Sequence, residues 1–335
     1  MMWFFKELWY VLILLALSVI ACNGPVEQPV VEIPLTGELM EGDPEVSGLA
    51  WYGEELVLLS QYPDRFRSGG QDHIFAIPKE AIQHLLESPH GTSLSPRKVP
   101  FDDRGISDLV DNFEGYEALV FVEDRVFLTI EAVKGGGRIG YLVSGGVEEE
   151  LSAISLDVAS IQELTPTSLV DEMAFEALLS TDHHLIPIYE ANGKTVNSLS
   201  QAVRIDRSLQ TQSTIPFPSI EYRITDATSL DEDARFWAIN YFYPGEEHLK
   251  PRTDPVVEKY GQGPTHAVSQ AVERLVEFQW SDSAITLVDR PPVQFQLLAE
   301  GESRNWEGIV RLDDKGFLVI TDTYPETILA FIPMP

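Results

Sequence analysis

Five segments of this chain share one layout, and an internal repeat narrows the choice of fold more than any composition can. Val46-Ser47-Gly48-Leu49, Tyr116-Glu117-Ala118-Leu119, Phe175-Glu176-Ala177-Leu178, Thr225-Asp226-Ala227-Thr228 and Trp306-Glu307-Gly308-Ile309 run, in most cases, as a bulky residue, an acid or serine, a small residue and an aliphatic one. Each opens a short apolar run, crosses a polar turn and enters a second apolar run, at 56–60, 126–130, 185–189, 236–240 and 317–321. The turns, Gly53-Glu54-Glu55 and Asp313-Asp314-Lys315 among them, carry residues that hairpins favour. One or two further strand-like runs follow each hairpin, which makes about four strands per unit, the blade of a β-propeller. The chain therefore reads as all-β, with five blades starting near residues 44, 113, 172, 220 and 303. A sixth is left open by the length of the fourth unit between Pro244 and Val272, and a β-sandwich with accidental similarity between hairpins is the alternative architecture. Only three strands follow Trp306, so the fourth strand of that unit is expected from residues 30–35, a closure that removes two sheet edges at once. One helix is expected at Lys79–Glu87, where Ala81, Ile82, Leu85 and Leu86 recur at helical spacing.

The N-terminus has a different character. Lys6 is the only cation among the first residues, and residues 11–20 form an apolar run too short for a comfortable membrane span. It ends in Val19-Ile20-Ala21-Cys22, which matches the lipobox of bacterial lipoprotein signal peptides, and Cys22 is the only cysteine of the chain. The expected division is a signal peptide at 1–21, a lipid-anchored tether at 22–42 containing the closing strand, and the propeller at 43–335. The body then lies outside the cytoplasm and meets the membrane only through lipid on Cys22, in the cell membrane or an outer membrane. Net charge is -30 and the sequence pI is about 4.4, a surface that repels nucleic acid and anionic lipid.

In an up-and-down blade the residue opening strand one neighbours the residue closing strand two. Ideal hairpins would then set Glu117 against Glu131, Glu176 against Glu190 and Glu307 against Asp322, with Asp226 facing Asn240 or Tyr241. Like charges in register destabilise a sheet, so the acids need compensation: a hard divalent cation with oxygen ligands, calcium being the usual extracellular one, basic side chains from loops, or protonation and backbone hydrogen bonds. Arg65, Arg67 and Arg252 lie in loops expected above this mouth and would suit a small anionic ligand. The turn at His183-His184 falls at the opposite end and reads as a solvated hairpin tip, whereas Tyr116, Phe175 and Trp306 read as packing between blades. No Gly-x-Ser-x-Gly elbow, P-loop, His-Glu-x-x-His helix or EF-hand loop occurs.

Trp306-Glu307-Gly308-Ile309, followed by residues 316–322 and echoed at Glu117 and Glu176, resembles the Glu-Gly motifs of the esterase-like phytase family and of the SdiA-regulated type of calcium-binding propeller. The resemblance spans residues 44–335 and implies acids at the channel mouth, with Glu117, Glu176, Asp226 and Glu307 as calcium ligands; Ser47 departs from it, as does Glu-Ala in place of Glu-Gly in two units. The expectation is a lipid-anchored, extracytoplasmic, calcium-stabilised module that binds a ligand or a protein partner at its acidic mouth. The alternative is a metal-assisted hydrolase of phosphoesters or carboxylic esters, in which a metal-bound water attacks.

Overall fold

The computed structural model describes residues 25–88, 92–299 and 302–335, so the expected signal peptide and Cys22 lie outside the described residues. Antiparallel strands in chain order build each unit of the repeat. The first contains Val46–Tyr52, Glu55–Ser60, Asp72–Pro78 and Arg97–Asp102; the second, Phe113–Val122, Arg125–Lys134, Gly137–Val147 and Ile154–Leu156. The third contains Phe175–Ser180, His184–Tyr189, Gln201–Asp206 and Gln212–Pro216; the fourth, Arg223–Ala227, Arg235–Phe242, Val272–Ser281 and Ala284–Leu287. Trp306–Leu312, Gly316–Thr321 and Leu329–Pro333 make the last. The first two units are joined by a short parallel pairing of Phe101 with Ile154, so they share one sheet.

The first strands form a ring in which Val46–Tyr52 touches both Phe113–Val122 and Trp306–Leu312, and each remaining first strand touches the next. Strand alternation explains how neighbouring units cohere. Val57 and Leu59 pack with Tyr116 and Leu128 of the second unit, whereas Leu56 and Leu58, on the opposite face, pack with Val310, Leu318 and Ile320 of the last. The other gaps are filled in the same way. Tyr116, Phe175 and Trp306, buried as expected, each belong to one of these inter-unit cores. The helix forms at Lys79–Glu87 with Ile82 and Leu85 turned inward. The long connection in the fourth unit holds the helix Pro255–Tyr260 and short turns at Glu247–Leu249 and His266–Val268 rather than strands.

Closure by the N-terminal segment is observed, in shortened form. Val31–Ile33 pairs antiparallel with the last strand, Val31 facing Phe331 and Ile33 facing Leu329. The residues around it do not behave as a tether. Gln28 bridges Phe295 at the outer edge of the fourth unit, and Leu35 bridges Leu94 of the first, so one segment straps three units. Glu27 secures the strap: its carboxylate accepts hydrogen bonds from the Thr265 and His266 N–H groups at 3.0 Å and from His266 Nδ1 at 2.9 Å, with both side chains almost fully buried. His266 Nε2 accepts from the Glu273 N–H at 3.3 Å, which leaves the ring proton on Nδ1. The tether reading failed because Pro25, Pro29 and Pro34 suggested a linker, while the partner of Glu27 lies far along the sequence.

Burial holds His266 below its ordinary pKa despite the carboxylate beside it. Burial pushes Glu27 up, but the hydrogen bonds from His266 and Thr265 outweigh it and leave that carboxylate below its usual range. Both folded-state values lie below those of the unfolded chain, so the stabilisation is complete at neutral pH and is lost as pH falls through them. Glu27→Ala strands two backbone N–H groups and should cost about 2 kcal/mol. Between pH 7 and pH 5, where His266 takes up its proton, this variant should lose stability more steeply than the wild type, because the carboxylate that raises His266 is gone; denaturation midpoints that fall in parallel would show that the strap carries no such linkage.

Candidate functional site at the channel mouth

The repeat position is a β-bulge in every unit. Register skips one residue at Ser47, at Glu176 and at Glu307, and is broken in the same place across Glu117 and Asp226. A bulge re-aims the side chain that carries it. The expected facing of Glu117 with Glu131, Glu176 with Glu190 and Glu307 with Asp322 is therefore not what forms. Glu131 faces Gly115, Tyr189 faces Phe175, and Thr321 faces Trp306. Most of the acids nevertheless reach a common place. Glu117, Glu131, Glu176, Glu307 and Asp322 line a cavity of about 300 Å³ at the mouth, together with Glu45, Ser47, Gln61, Glu172 and Glu246.

Asp226 takes a different part. It is absent from that lining, and its Oδ2 accepts the Ile309 N–H at 2.8 Å, tying the fourth unit to the last. Ser47 Oγ likewise donates to the Tyr116 carbonyl at 2.6 Å, and Thr225 Oγ1 donates to the Trp306 carbonyl.

The compensation comes from two arginines that the sequence reading did not single out. Arg223, at the start of the fourth unit, places Nη2 3.0 Å from Glu190, 3.3 Å from Glu307 and 3.7 Å from Glu176, while Nη1 lies 3.4 Å from Glu246. Burial works against its charge, but these carboxylates more than reverse that effect. Arg138 pairs with Glu131, Gln61 Nε2 donates to Glu117 at 2.8 Å, and Asn305 Nδ2 donates to Glu307 at 2.7 Å and to Asp322 at 2.8 Å. One signal was available in the sequence: Arg223 stands three residues before Asp226, inside a repeat unit, where a cation has to be close to the neighbouring acids. The basic residues proposed for the rim lie elsewhere. Arg65 is held by Asp43 and Glu45, exposed Arg67 pairs with Asp72, and Arg252 is exposed and outside the lining.

Two buried carboxyls sit near neutrality. Burial, reinforced by the charge of Glu307, pushes Glu176 up to about 8. Burial also takes Glu307 to about 8 in spite of Arg223, so both carboxyls favour their protonated form near neutrality. Glu117 and Glu190 are raised as well, both chiefly by burial. Calcium does not fit this arrangement. Glu176, Glu190 and Glu307 gather on a guanidinium rather than around an ion-sized gap, and among the described residues no three His, Cys, Asp or Glu side chains converge as metal ligands.

Beside Arg223, Glu246 and Asn305 a second opening exposes Tyr243 and Tyr324, each about half exposed at 46% and 48%, with ring centroids 6.4 Å apart. The fold and the mouth together define a β-propeller with a polar, acidic central pocket. No protein-family model matches the sequence, and no curated protein is detectably similar to it. Among solved structures, a candidate glycosidase of Bacteroides thetaiotaomicron is 10% identical over 93% of each chain with a TM-score of 0.50, which shows a shared propeller fold. A glycosyl hydrolase of Bacteroides ovatus is 9% identical over 93% of this chain and 94% of that one, with a TM-score of 0.48. An α-L-arabinanase mutant of Cellvibrio cellulosa is 10% identical over 92% and 91%, with a TM-score of 0.43. The resemblance to the esterase-like phytase and SdiA-regulated families gains no support from these comparisons.

A carboxyl whose folded pKa is raised contributes stability that is fully present below its unfolded value and is lost as pH rises through the folded one. Stability should therefore fall between about pH 5 and pH 9, and Glu176→Gln should flatten that decline, as measured by chemical denaturation. Arg223→Met leaves the carboxylates without their cation and should cost about 3 kcal/mol or more. Chelator and added calcium should leave the wild-type melt in place, and a shift of several degrees would restore the metal.

Proposed function

We propose that the protein is a lipid-anchored, extracytoplasmic propeller of five blades that captures a small ligand at its acidic mouth. One observation carries the reading: the bulges at Glu117, Glu176 and Glu307 bring three side chains of the repeat to a single polar cavity of about 300 Å³, at the small end of the range for ligand sites. Ring contacts between the first strands and the helical content of the connection before Val272 support the count of five. The lipobox supports the anchor. Cys22→Ala should leave the protein released or retained as precursor, and normal membrane partitioning of that variant would remove this part of the proposal.

A second reading rests on Glu176 and Glu307. Burial holds both protonated near neutrality, so either could serve as the general acid of a hydrolase. It replaces the metal-assisted ester hydrolase, because Arg223 stands where the metal was expected. Thermal shifts across a panel of amines, polyols and organic anions should reveal one saturable class. That shift should vanish in Glu172→Trp, which sets an indole at the exposed edge of the cavity. Nitrophenyl glycosides and esters should show no turnover above background; turnover abolished by Glu307→Gln would favour the hydrolase.

A further inference from the structure

Resting on the proposed mouth site, we propose that its ligand is a small organic cation, held by the mouth carboxylates and by the faces of Tyr243 and Tyr324. The cavity wall presents eight carboxyl side chains and two guanidinium groups, and both guanidinium groups are already engaged, Arg138 by Glu131 and Arg223 by Glu176, Glu190, Glu246 and Glu307. Protonating Glu117, Glu176 and Glu307 leaves the wall still negative. An anion therefore finds repulsion here and no lining cation to spare.

The hydrogen-bonding inventory makes the same demand. Ionised carboxylates only accept. Glu246 lines both openings and its Oε2 has no hydrogen-bond partner; among the lining donors Arg223 Nε is likewise unpaired. A ligand that neutralises this wall has to carry positive charge, and a donor on it would meet Glu246 Oε2.

The tyrosines supply the remaining half of the recognition. Their rings stand at the lip beside Arg223 and Glu246, where an aromatic face attracts a cation by about 1 kcal/mol or more. The protein already shows the arrangement once, since the Arg223 guanidinium lies 5.6 Å from the centre of the Tyr241 ring while carboxylates surround it. A ligand ammonium at the lip would repeat it one layer outward. The volume suits an amine of roughly choline or diamine size rather than a polymer.

Isothermal titration of the mature protein with 1,4-diaminobutane and with choline, against myo-inositol and citrate, tests this. At least one amine should bind, with affinity falling about tenfold or more between about 50 and 500 mM sodium chloride. Glu246→Gln should weaken it about fivefold, and Tyr324→Ala should weaken choline about threefold; unchanged melts would show that both variants fold. Binding of inositol or citrate without either amine overturns the cation and leaves the site standing. Amine binding indifferent to both variants places it elsewhere and also overturns the proposal. Should no probe bind and Glu172→Trp change nothing in any assay, the site reading fails with it.

Discussion

Arg223 is the residue on which the mouth depends. Glu176, Glu190 and Glu307 descend on it from the third and fifth units, and Glu246 reaches it from the long connection of its own unit. Without a cation at this point, burial and mutual repulsion would force each carboxyl to stay protonated or the first strands to move apart. With it, the charges are partly neutralised, and the raised values of Glu176 and Glu307 lower the remaining repulsion by keeping them protonated near neutrality.

Beneath this layer the ring is held by short polar ties that use the same repeat position differently. Where the bulge carries serine or aspartate, as at Ser47 and Asp226, the side chain bonds the backbone of a neighbouring first strand. Where it carries glutamate, the longer side chain reaches the cavity instead. One extra methylene thus separates Asp226, which stitches two units together, from the glutamates that reach the cavity. A single local deformation of the strand serves both ends, and the apolar faces between units keep the ring closed around it.

The architecture was largely legible because its signals are local: strand alternation, hairpin turns, the helix at Lys79–Glu87 and a motif recurring in register. The gathering of Glu117, Glu131, Glu176, Glu307 and Asp322 was legible for the same reason. Their pairing was not, since the turn register differs by one residue from an ideal hairpin count and the bulge adds a second, so that Glu131 falls opposite Gly115 rather than Glu117. Asp226 was misplaced because its acceptor role depends on the Ile309 N–H of another unit. Arg223 and Arg138 were missed because cation and acid meet only through tertiary structure. The strap was read as a linker for the related reason that Glu27 meets His266 across most of the chain.

The strap also sets an order of events. Val31 has no partner until Phe331 has been made, so the first strand among the described residues is among the last to be paired. A contact of such sequence separation is slow to form and cannot seal a partial chain. The nascent protein can complete its inner units one after another, yet the ring stays open, with the edge strand of its last blade missing, until synthesis is finished.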